Sequence, residues 1–296
     1  MTDLVIRPLV AGEEQLFDSL ADPGLVGRAV LGETYADGGY RPEWTWVALR
    51  DGVVVARAAW WAGPDDSAPL ALDWFDFTDP DAAVALLRIA PLRAEYEILL
   101  PHGWRDDPAV RAHGQARIDA ATAAGLRVLV ERYRYRWTPG CGLPARPGRL
   151  EFRPEPDDAV ILDVLRRIGE GSLDAHYRHA SAVHGPEAAA REDLDLLRWM
   201  PSPREWWQLA FTPGGDLVGI IVPTRNQSHH IVGFVGVLPG QRGHGYAYDL
   251  LVEATHRLVE VGADAIVAAT DQGNTPMAAT FARAGYPIEY ERVDLV

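Results

Sequence analysis

Apolar and polar positions follow a strand-like pattern at two distant places in the chain. In the first half, the β-rich runs 44–49 and 53–56 flank the turn Arg50-Asp51-Gly52. In the second half, the runs 206–211 and 217–221 flank a turn that contains Gly214 and Gly215. A glycine-containing turn between two β-rich runs is typical of a hairpin. The pattern therefore predicts one hairpin in each half.

The two halves also begin and end alike. Residues 4–8 resemble residues 150–154, and residues 124–132 align without a gap to 284–292. In both halves a helix-like run stops at a glycine, which is suited to a left-handed helix end, and a strand follows. The proline- and glycine-rich segment 138–148 separates the halves. We predict a duplicated α/β (α+β) domain, with boundaries 1–140, a linker 141–149, and 150–296.

A strand, a glycine-bearing loop and a helix follow one another in the second half. The run 231–237 predicts a buried strand, and the loop 238–245 precedes apolar positions at helical spacing, namely Leu250, Leu251, Ala254, Leu258 and Val259. The first amides of a helix have no partner within the helix and attract anions. Gly243 and Gly245 would allow a bulky diphosphate to approach the main chain. The spacing matches neither the P-loop nor the dinucleotide-binding fingerprint.

This segment resembles a known family. Residues 237–247, Val-Leu-Pro-Gly-Gln-Arg-Gly-His-Gly-Tyr-Ala, are similar to motif A of the GNAT superfamily of N-acetyltransferases, whose signature is Arg/Gln-x-x-Gly-x-Gly/Ala. Residues 264–270 resemble the strand that follows the motif, and 274–286 resemble the closing helix and turn. The resemblance is close over 217–296 and loose elsewhere. It implies two tandem GNAT-like domains, each with a central mixed β-sheet flanked by helices.

The resemblance also implies acetyl-CoA as co-substrate. Its pantetheine arm would lie along the strand and pair with the main chain around Val235 and Val237, and Asn274 would bind the arm or a water near the thioester. The diphosphate would be bound by the loop and helix start: Arg242, Gly243, His244, Gly245, Tyr246 and Ala247. An amine would attack the thioester directly, so the single cysteine, Cys141, would not be a nucleophile.

Phe281 departs from the family pattern. Many relatives carry a tyrosine at this place of the cofactor site, and that tyrosine protonates the leaving thiolate. Phenylalanine has no proton to donate, so another group or water would take this role, or the thiolate would leave unassisted. Tyr286 and Tyr248 are the possible substitutes.

Three residues are candidates for the general base. His229 and His230 begin the predicted strand and titrate near neutrality. Asp271 closes the next strand, near the place where the thioester would lie. The alternative interpretation makes the histidines solvated strand-start residues and makes Asp271 a cap of the helix near Asn274.

The first half lacks the loop. With an offset of 160 (285 minus 125), Ala82, Ala85 and Gly114 stand opposite Arg242, Gly245 and Asn274. No glycine pair is present, and three aspartates would repel a diphosphate: Asp76, Asp79 and Asp81. We predict no CoA site in this half.

Charge and composition restrict the partners. The net charge is -14, and all 28 basic residues are arginines. An acidic surface disfavours nucleic acid and anionic membranes and favours a cationic acceptor such as an amine. The alternative interpretation is that the acidic charge merely keeps the protein in solution. The sequence lacks a signal-peptide pattern and a long apolar run, and one cysteine permits neither an internal disulfide nor a cysteine-rich metal site. We expect a cytoplasmic protein, monomer or homodimer, without a metal.

The leading hypothesis is transfer of an acetyl group from acetyl-CoA to a primary amine of a small molecule. A non-catalytic acyl-CoA-binding protein is the alternative that Phe281 supports, and acetylation of a protein is a third possibility. A transferase that uses aminoacyl-tRNA is disfavoured by the acidic charge and the intact motif.

Overall fold

The computed structural model describes residues 3–22, 24–28, 39–63, 66–226 and 229–296. The chain forms two compact units. Unit 1 contains Met1–Arg132 and Tyr290–Val296, and unit 2 contains Tyr133–Glu289. The predicted division, 1–140 and 150–296, differs from these units at both ends. Residues 133–149 belong to unit 2, and the last seven residues belong to unit 1.

The first half of the sequence contributes seven strands and three helices among the described residues. They are β1 (Leu4–Pro8), α1 (Glu14–Asp18), β2 (Gly27–Arg28), β3 (Tyr40–Arg50), β4 (Val53–Trp61), β5 (Ala71–Phe77), α2 (Pro80–Ile89), β6 (Glu95–Pro101), α3 (Pro108–Ala124) and β7 (Val128–Trp137). The second half contributes β8 (Glu151–Pro154), α4 (Asp158–Gly169), α5 (Ala175–His184), α6 (Pro186–Trp199), β9 (Gln208–Phe211), β10 (Leu217–Arg225), β11 (His230–Val237), α7 (Tyr246–Glu260), β12 (Ile266–Asp271), α8 (Thr275–Arg283) and β13 (Ile288–Leu295).

The sheet of unit 1 is mixed, in the order β1-β3-β4-β5-β6-β13. Its hairpin turns at Asp51 and Gly52, which both have positive φ, as the turn residues predicted. β5 and β6 are parallel, whereas β13 is antiparallel to β6, from Tyr290 opposite Pro101 to Leu295 opposite Tyr96. The last strand of the chain therefore completes the sheet of unit 1.

Helix ends in unit 1 follow from local chemistry. Asp107 begins α3 by accepting the amides of Ala109 and Val110, and Gly125 ends it at φ 116. The predicted left-handed glycine end is confirmed. Apolar residues of α2, among them Leu86, pack with Ile98 and Leu100 in one buried core. Helices on a mixed sheet thus give unit 1 its α/β character.

In unit 2 the sheet runs β7-β12-β11-β10-β9-β8. β11 and β12 are parallel, and the pairs β10–β11, β9–β10 and β8–β9 are antiparallel. Ile221 packs in a cluster with α7 and α8, while Ile220 and Val222 pack in a second cluster with α4 and α6. Both faces of this sheet are covered by helices. The predicted fold class, mixed sheets flanked by helices, is confirmed.

No helix in the described part of the chain is long and apolar enough to cross a bilayer.

The attachment of β13 to unit 1 includes a buried ion pair. Arg292 lies 3.0 Å from Glu97 and 2.7 Å from Asp294, which is fully buried. Arg292→Ala would leave the Asp294 carboxylate buried without this cation, so we expect it to lower the free energy of unfolding by about 3–5 kcal/mol. Urea denaturation measures the loss.

The control is Arg191→Ala, which removes an exposed pair with Glu187 on α6. Such a pair contributes roughly 0.3–0.5 kcal/mol. Equal losses for the two variants would contradict the structural importance of the Arg292 cluster.

Candidate active site

The two parallel strands of unit 2 separate soon after they begin. β11 and β12 pair only at His230 with Ile266 and at Ile231 with Val267 in the described residues. On its other edge β11 contains one residue more than β10, because Val232 and Phe234 pair with adjacent residues and Gly233 does not pair. Such a bulge bends a strand. A Cβ at residue 233 would lie 2.8 Å from the Thr224 side chain, so the position requires glycine.

Val235 and Val237 lie on β11 beyond the bulge, and both are half-buried. Their main chains lie past the last pairing with β12. An extended ligand could therefore add to this edge as another strand would. The predicted location of the pantetheine arm is consistent with this geometry.

The loop after β11 presents unpartnered amides at the start of α7. The main-chain amides of residues 243–247 donate no hydrogen bond to any described residue. Gly243 has φ 85, and Gly245, the N-cap, has φ 76. Only glycine adopts these angles readily, and a Cβ at either position would have ample space. The two glycines are therefore needed for backbone conformation, and the resulting row of donors at a helix N-terminus suits an anion.

Arg242 is held by the protein itself. Its guanidinium donates to the carbonyls of Ile168 at 2.6 Å and Glu170 at 2.8 Å, near the end of α4, and its amide donates to Pro239. The side chain therefore fixes the loop against α4. Direct contact between Arg242 and a phosphate stays a prediction.

Arg149 is a cation at the loop that the sequence reasoning missed. Its guanidinium donates to the carbonyls of His244 at 3.1 Å and Gly245 at 3.3 Å, pairs with the buried Asp249 carboxylate and covers the Tyr246 ring. About half of the side chain is exposed, 47%. The signal was the pair of arginines, Arg146 and Arg149, inside the segment predicted to be a linker.

The structure places the candidate bases at opposite ends of the parallel strand pair. His230 lies opposite Ile266, the first residue of β12, whereas Asp271 is the last. Five residues of strand separate these ends by about 16 Å. The histidines and Asp271 therefore do not form one catalytic group.

The surroundings of His229 favour its neutral form. Burial, together with the charges of Arg134 and Arg136, lowers its pKa below the ordinary value of 6.5. Its Nε2 lies 3.4 Å from the Arg136 guanidinium. The ring of His230 stacks on Trp206 with a centroid distance of 6.5 Å. Both rings thus have protein neighbours at the start of β11.

Asp271 is buried and holds the start of α5. Its Oδ2 accepts the amide of Ala175 at 2.6 Å. The interpretation that Asp271 caps the helix near Asn274 is wrong, because Asn274 is itself the N-cap of α8 and accepts the Met277 amide at 3.3 Å. A carboxylate at the start of α5 is favoured by the helix dipole. Part of the Asn274 side chain is thereby used for capping.

Phe281 is a core residue of unit 2. It is 2% exposed and stacks on Tyr135, with ring centroids 4.3 Å apart and an interplanar angle of 17°. Tyr286, one of the suggested substitutes, also contacts this ring, at 5.3 Å. Tyr248, the other, lies under the Arg283 guanidinium at 3.8 Å.

The Tyr286 hydroxyl already donates a hydrogen bond within the protein. The Thr255 hydroxyl donates to the Leu251 carbonyl at 2.8 Å, so at 2.7 Å Tyr286 donates to the Thr255 oxygen. Burial raises the pKa of Tyr286. These contacts argue against Tyr286 as the group that assists a leaving thiolate.

A carboxyl group between α5 and α6 was also missed. Burial, and then the charges of Asp174 and Glu192, raise the pKa of Asp193 to about 7, while His176 lowers it. Asp174 is the N-cap of α5, next to the residue that Asp271 binds. The signal was helical spacing: Asp193 follows the buried Ala190 by three residues and precedes the buried Leu197 by four.

Comparison with known proteins agrees with this geometry. Residues 173–286 match the acetyltransferase (GNAT) family. A stretch of 194 residues, 59% of the chain, is 27% identical to the mycothiol acetyltransferase of Pseudarthrobacter chlorophenolicus. The match covers 55% of that protein, so the matched part of the chain spans about half the length of this curated relative.

Solved structures share the fold over nearly the whole chain. A GCN5-related N-acetyltransferase from Sphaerobacter thermophilus superposes with a TM-score of 0.56 at 15% identity, covering 99% of this chain and 94% of that one. A tandem GNAT protein from the clavulanic acid biosynthesis pathway gives 0.52 at 19% identity, covering 99% and 98%. Residues 173–286, which are 114 of the 296 residues, resemble a GNAT domain. The resemblance found in the sequence is confirmed, and the tandem arrangement fits it.

In unit 1, as in unit 2, two parallel strands separate soon after they begin. Here a short strand of the same unit, β2, lies on the edge that becomes free. β5 and β6 pair only at Ala71 with Glu95 and at Leu72 with Tyr96 among described residues. β13 covers the other edge of β6, so β2 lies on the edge that β5 leaves, with Gly27 opposite Leu99. The main-chain donors and acceptors on this edge of β6, with which an extended ligand would pair, therefore face β2.

In unit 1 the N-terminus of α2, which corresponds to the start of α7, is capped by a carboxylate. Asp79 caps α2 by accepting the amide of Ala82 at 3.1 Å and pairs with Arg50 at 2.5 Å. The amide of Ala82, followed by Arg50, lowers the pKa of Asp79. The buried Asp76 pairs with Arg57 at 2.9 Å and Arg117 at 2.7 Å. A carboxylate already occupies the place of an anion.

The gap-free alignment is wrong upstream of the matched ends. By position in the fold, Asp79 corresponds to Gly245, and Asp107 corresponds to Asn274, since each precedes the equivalent helix. Gly114, the predicted counterpart of Asn274, lies inside α3. The cause is helix length: α3 has 17 residues and α8 has 9.

Asp193 gives a pH-dependent prediction within the GNAT domain. A carboxyl group whose pKa is raised in the folded state destabilises that state when it ionises, and for Asp193 this cost grows as the pH rises from the ordinary pKa of 3.8 to about 7. Asp193→Asn removes this titration. We expect the melting temperature to rise by roughly 5 °C at pH 8 and by less at pH 5.

Thermal unfolding followed by circular dichroism measures both values. Asp195→Asn, an exposed position on the same helix near Arg198, is the control and should change the melting temperature little at either pH. A gain for Asp193→Asn that is larger at pH 5 would contradict the assigned environment.

Proposed function

We propose that this protein is an acetyl-CoA-dependent N-acetyltransferase that acetylates a primary amine of a small molecule. The observation that carries the proposal is the row of main-chain amides at residues 243–247, placed directly after a strand that has separated from its neighbour. This arrangement offers an anion site and an extended binding edge in continuous sequence.

The loop fits a diphosphate in geometry and in charge. The amides of residues 243–247 have no acceptor in the described part of the protein and lie at the positive end of α7. Arg149 adds a formal charge beside Gly245, where its Nη2 would lie 3.7 Å from a Cβ. Main-chain donors held by glycines do not need to reorganise when the ligand binds.

The separated edge of β11 supports the position of the arm. Val235 and Val237 belong to the strand that leads into the loop, so a ligand held at residues 243–247 can extend back along them. Its acyl end would then approach the fork where β11 leaves β12. Asn274, at the start of α8, follows Asp271 at the end of β12 and stays a proposed contact.

Direct attack by the amine requires no protein nucleophile. Cys141 lies in a short turn after β7 and contacts Thr138 at 3.8 Å. The acidic residues Asp174, Asp193 and Asp271 are connected through the start of α5 and would favour a cationic acceptor. His229, His230 and Asp271 stay candidate bases, and Asp193 joins them because its pKa of about 7 suits proton removal at neutral pH.

An acyl-CoA-binding protein without catalysis is the second candidate. Phe281 favours it, since a buried phenyl ring stands where the family resemblance places a proton donor. Acetylation of a protein is a further alternative for the acceptor. The absence of the loop in unit 1 supports a single CoA site in either case.

Turnover decides between enzyme and binder. Incubation of the full chain with acetyl-CoA and a panel of primary amines should release CoA thiol, detected with a thiol-reactive chromophore, at a rate that depends on the amine. Mass spectrometry should find the acetyl group on the amine nitrogen. CoA binding without thiol release across the panel would support the binder, and acetylation of added peptides alone would support a protein acceptor.

Gly245→Val tests the diphosphate site. The β-branched side chain cannot readily adopt φ 76, so the loop amides should lose their alignment. We expect the affinity for CoA, measured by calorimetry, to fall at least about a hundredfold, as several charge-assisted hydrogen bonds are lost.

Gly52→Val is the matched control. Gly52 has φ 77 in the turn of unit 1, and its missing side chain also faces open space. The backbone strain is the same, but CoA affinity should stay unchanged. Unchanged affinity in Gly245→Val would refute the assignment of the loop.

A further inference from the structure

Tyr135 lies face to face with Phe281 in the core of unit 2. We propose that the hydroxyl of Tyr135 donates the hydrogen bond that stabilises the sulfur of CoA as it leaves the acetyl group. This inference rests on the proposed function and supplies a group that Phe281 cannot. The tyrosine comes from β7, far in sequence from the helix that carries Phe281.

Tyr135 lies near the place where β11 and β12 separate. β7 lies beside β12 in the sheet, and Tyr135 belongs to the same buried cluster as Val232 and Ala268. These two residues directly follow the last pair, Ile231 with Val267, so they stand at the fork of β11 and β12. A thioester at the fork would therefore contact this cluster. Tyr135 is one of the residues in the cluster that carry a hydroxyl group.

The Tyr135 hydroxyl is available to a ligand. The residue as a whole is 2% exposed, its ring contacts those of Tyr133 and Phe281, and its hydroxyl has no hydrogen-bond partner in the described part of the chain. The hydroxyl oxygen is not among the fully buried atoms, so a ligand can reach it without breaking an existing hydrogen bond. Tyr286, the other tyrosine against Phe281, already donates to Thr255. Tyr135 is thus the tyrosine on Phe281 with a proton to offer.

The chemistry follows from the acidity of the two groups. Burial raises the pKa of Tyr135 to about 12, so it is protonated at neutral pH. A free alkyl thiol has a pKa of about 8.5, as in cysteine, so full proton transfer from Tyr135 to the thiolate is unfavourable. The hydroxyl therefore stabilises the thiolate by donating a hydrogen bond while keeping its proton.

The reaction balances without a further reagent. The amine nitrogen forms a bond to the carbonyl carbon, the carbon–sulfur bond breaks, and the electron pair stays on sulfur. The nitrogen loses one proton to the base, the thiolate takes one from water, and the base releases its proton to the hydroxide that remains. Tyr135 is unchanged at the end of the cycle.

Tyr135→Phe removes the hydroxyl and keeps the ring stack. At saturating acetyl-CoA and amine, we expect kcat to fall about a hundred- to a thousandfold, the range for removing one donor to a developing charge. The Kd for CoA should change less than twofold. Tyr96→Phe is the control: Tyr96 is equally buried, at 2%, and lies in unit 1, so kcat should stay at the wild-type value.

Phe281→Tyr in the Tyr135→Phe background tests the site of action. The two rings are stacked 4.3 Å apart, so this change returns a hydroxyl one ring away and should recover most of kcat. A merely structural role for Tyr135 predicts no recovery, because a second core change adds strain.

The outcomes separate this inference from the proposed function. Wild-type kcat in Tyr135→Phe, with an active wild-type enzyme, overturns the role of Tyr135 and leaves the acetyltransferase in place. Loss of activity in Tyr135→Phe without recovery in the double variant also overturns it. Absence of turnover in the wild type, with every amine tried, removes the proposed function and this role together.

Discussion

At Gly233 strand β11 takes in one residue more than β10, and its backbone bends away from β12. The rest of the site depends on this bulge, because a strand that leaves its neighbour exposes main-chain donors and acceptors that need other partners. Unit 1 has the same early separation between β5 and β6, but β2 pairs with the released edge. The comparison explains why one half of the duplicated fold can accept an extended ligand and the other cannot. A strand of two residues, Gly27–Arg28, makes the difference.

The acidic charge of the chain is compatible with a polyanionic ligand because binding is decided locally. The net charge of -14 would repel a diphosphate at long range, but salt screens exposed charges beyond about 10 Å. At the loop, the nearest groups are main-chain amides and the Arg149 guanidinium. The acidic groups of unit 2 near α5, including Asp193, lie on other elements and suit the opposite charge of an amine. Under the proposed function, this distribution of charge would separate the acetyl donor from the amine acceptor within unit 2.

Local sequence patterns predicted the strands, turns and helix ends around the candidate site. The contacts between distant segments depend on long-range packing and were not predicted. Helical and strand spacing, with the glycines at 125, 243, 245 and 285, predicted the hairpins, the helix ends and the anion loop because each is determined by a few consecutive residues. Arg149, Asp193 and Tyr135 were missed because the contacts that distinguish them are made with other segments of the chain. The offset of 160 failed for a similar reason, since α3 and α8 differ in length and only their last turns align. The unit boundaries also differ from the predicted ones, because a terminal strand has the same local pattern whichever sheet it joins.

The end of the first half of the sequence contributes residues to the core of unit 2. Residues 133–149 belong to unit 2, and among them Tyr135 and Trp137 are 2% and 1% exposed in the cluster that α7 and α8 cover. Arg146 and Arg149 from the same stretch pair with Glu253 and Asp249 on α7, the helix whose first turn is the proposed anion site. A fragment beginning at residue 150 would lack both the core tyrosine and the arginine beside Gly245. The second half of the sequence therefore does not contain the whole site, since the strand that ends the first half is needed to complete its core.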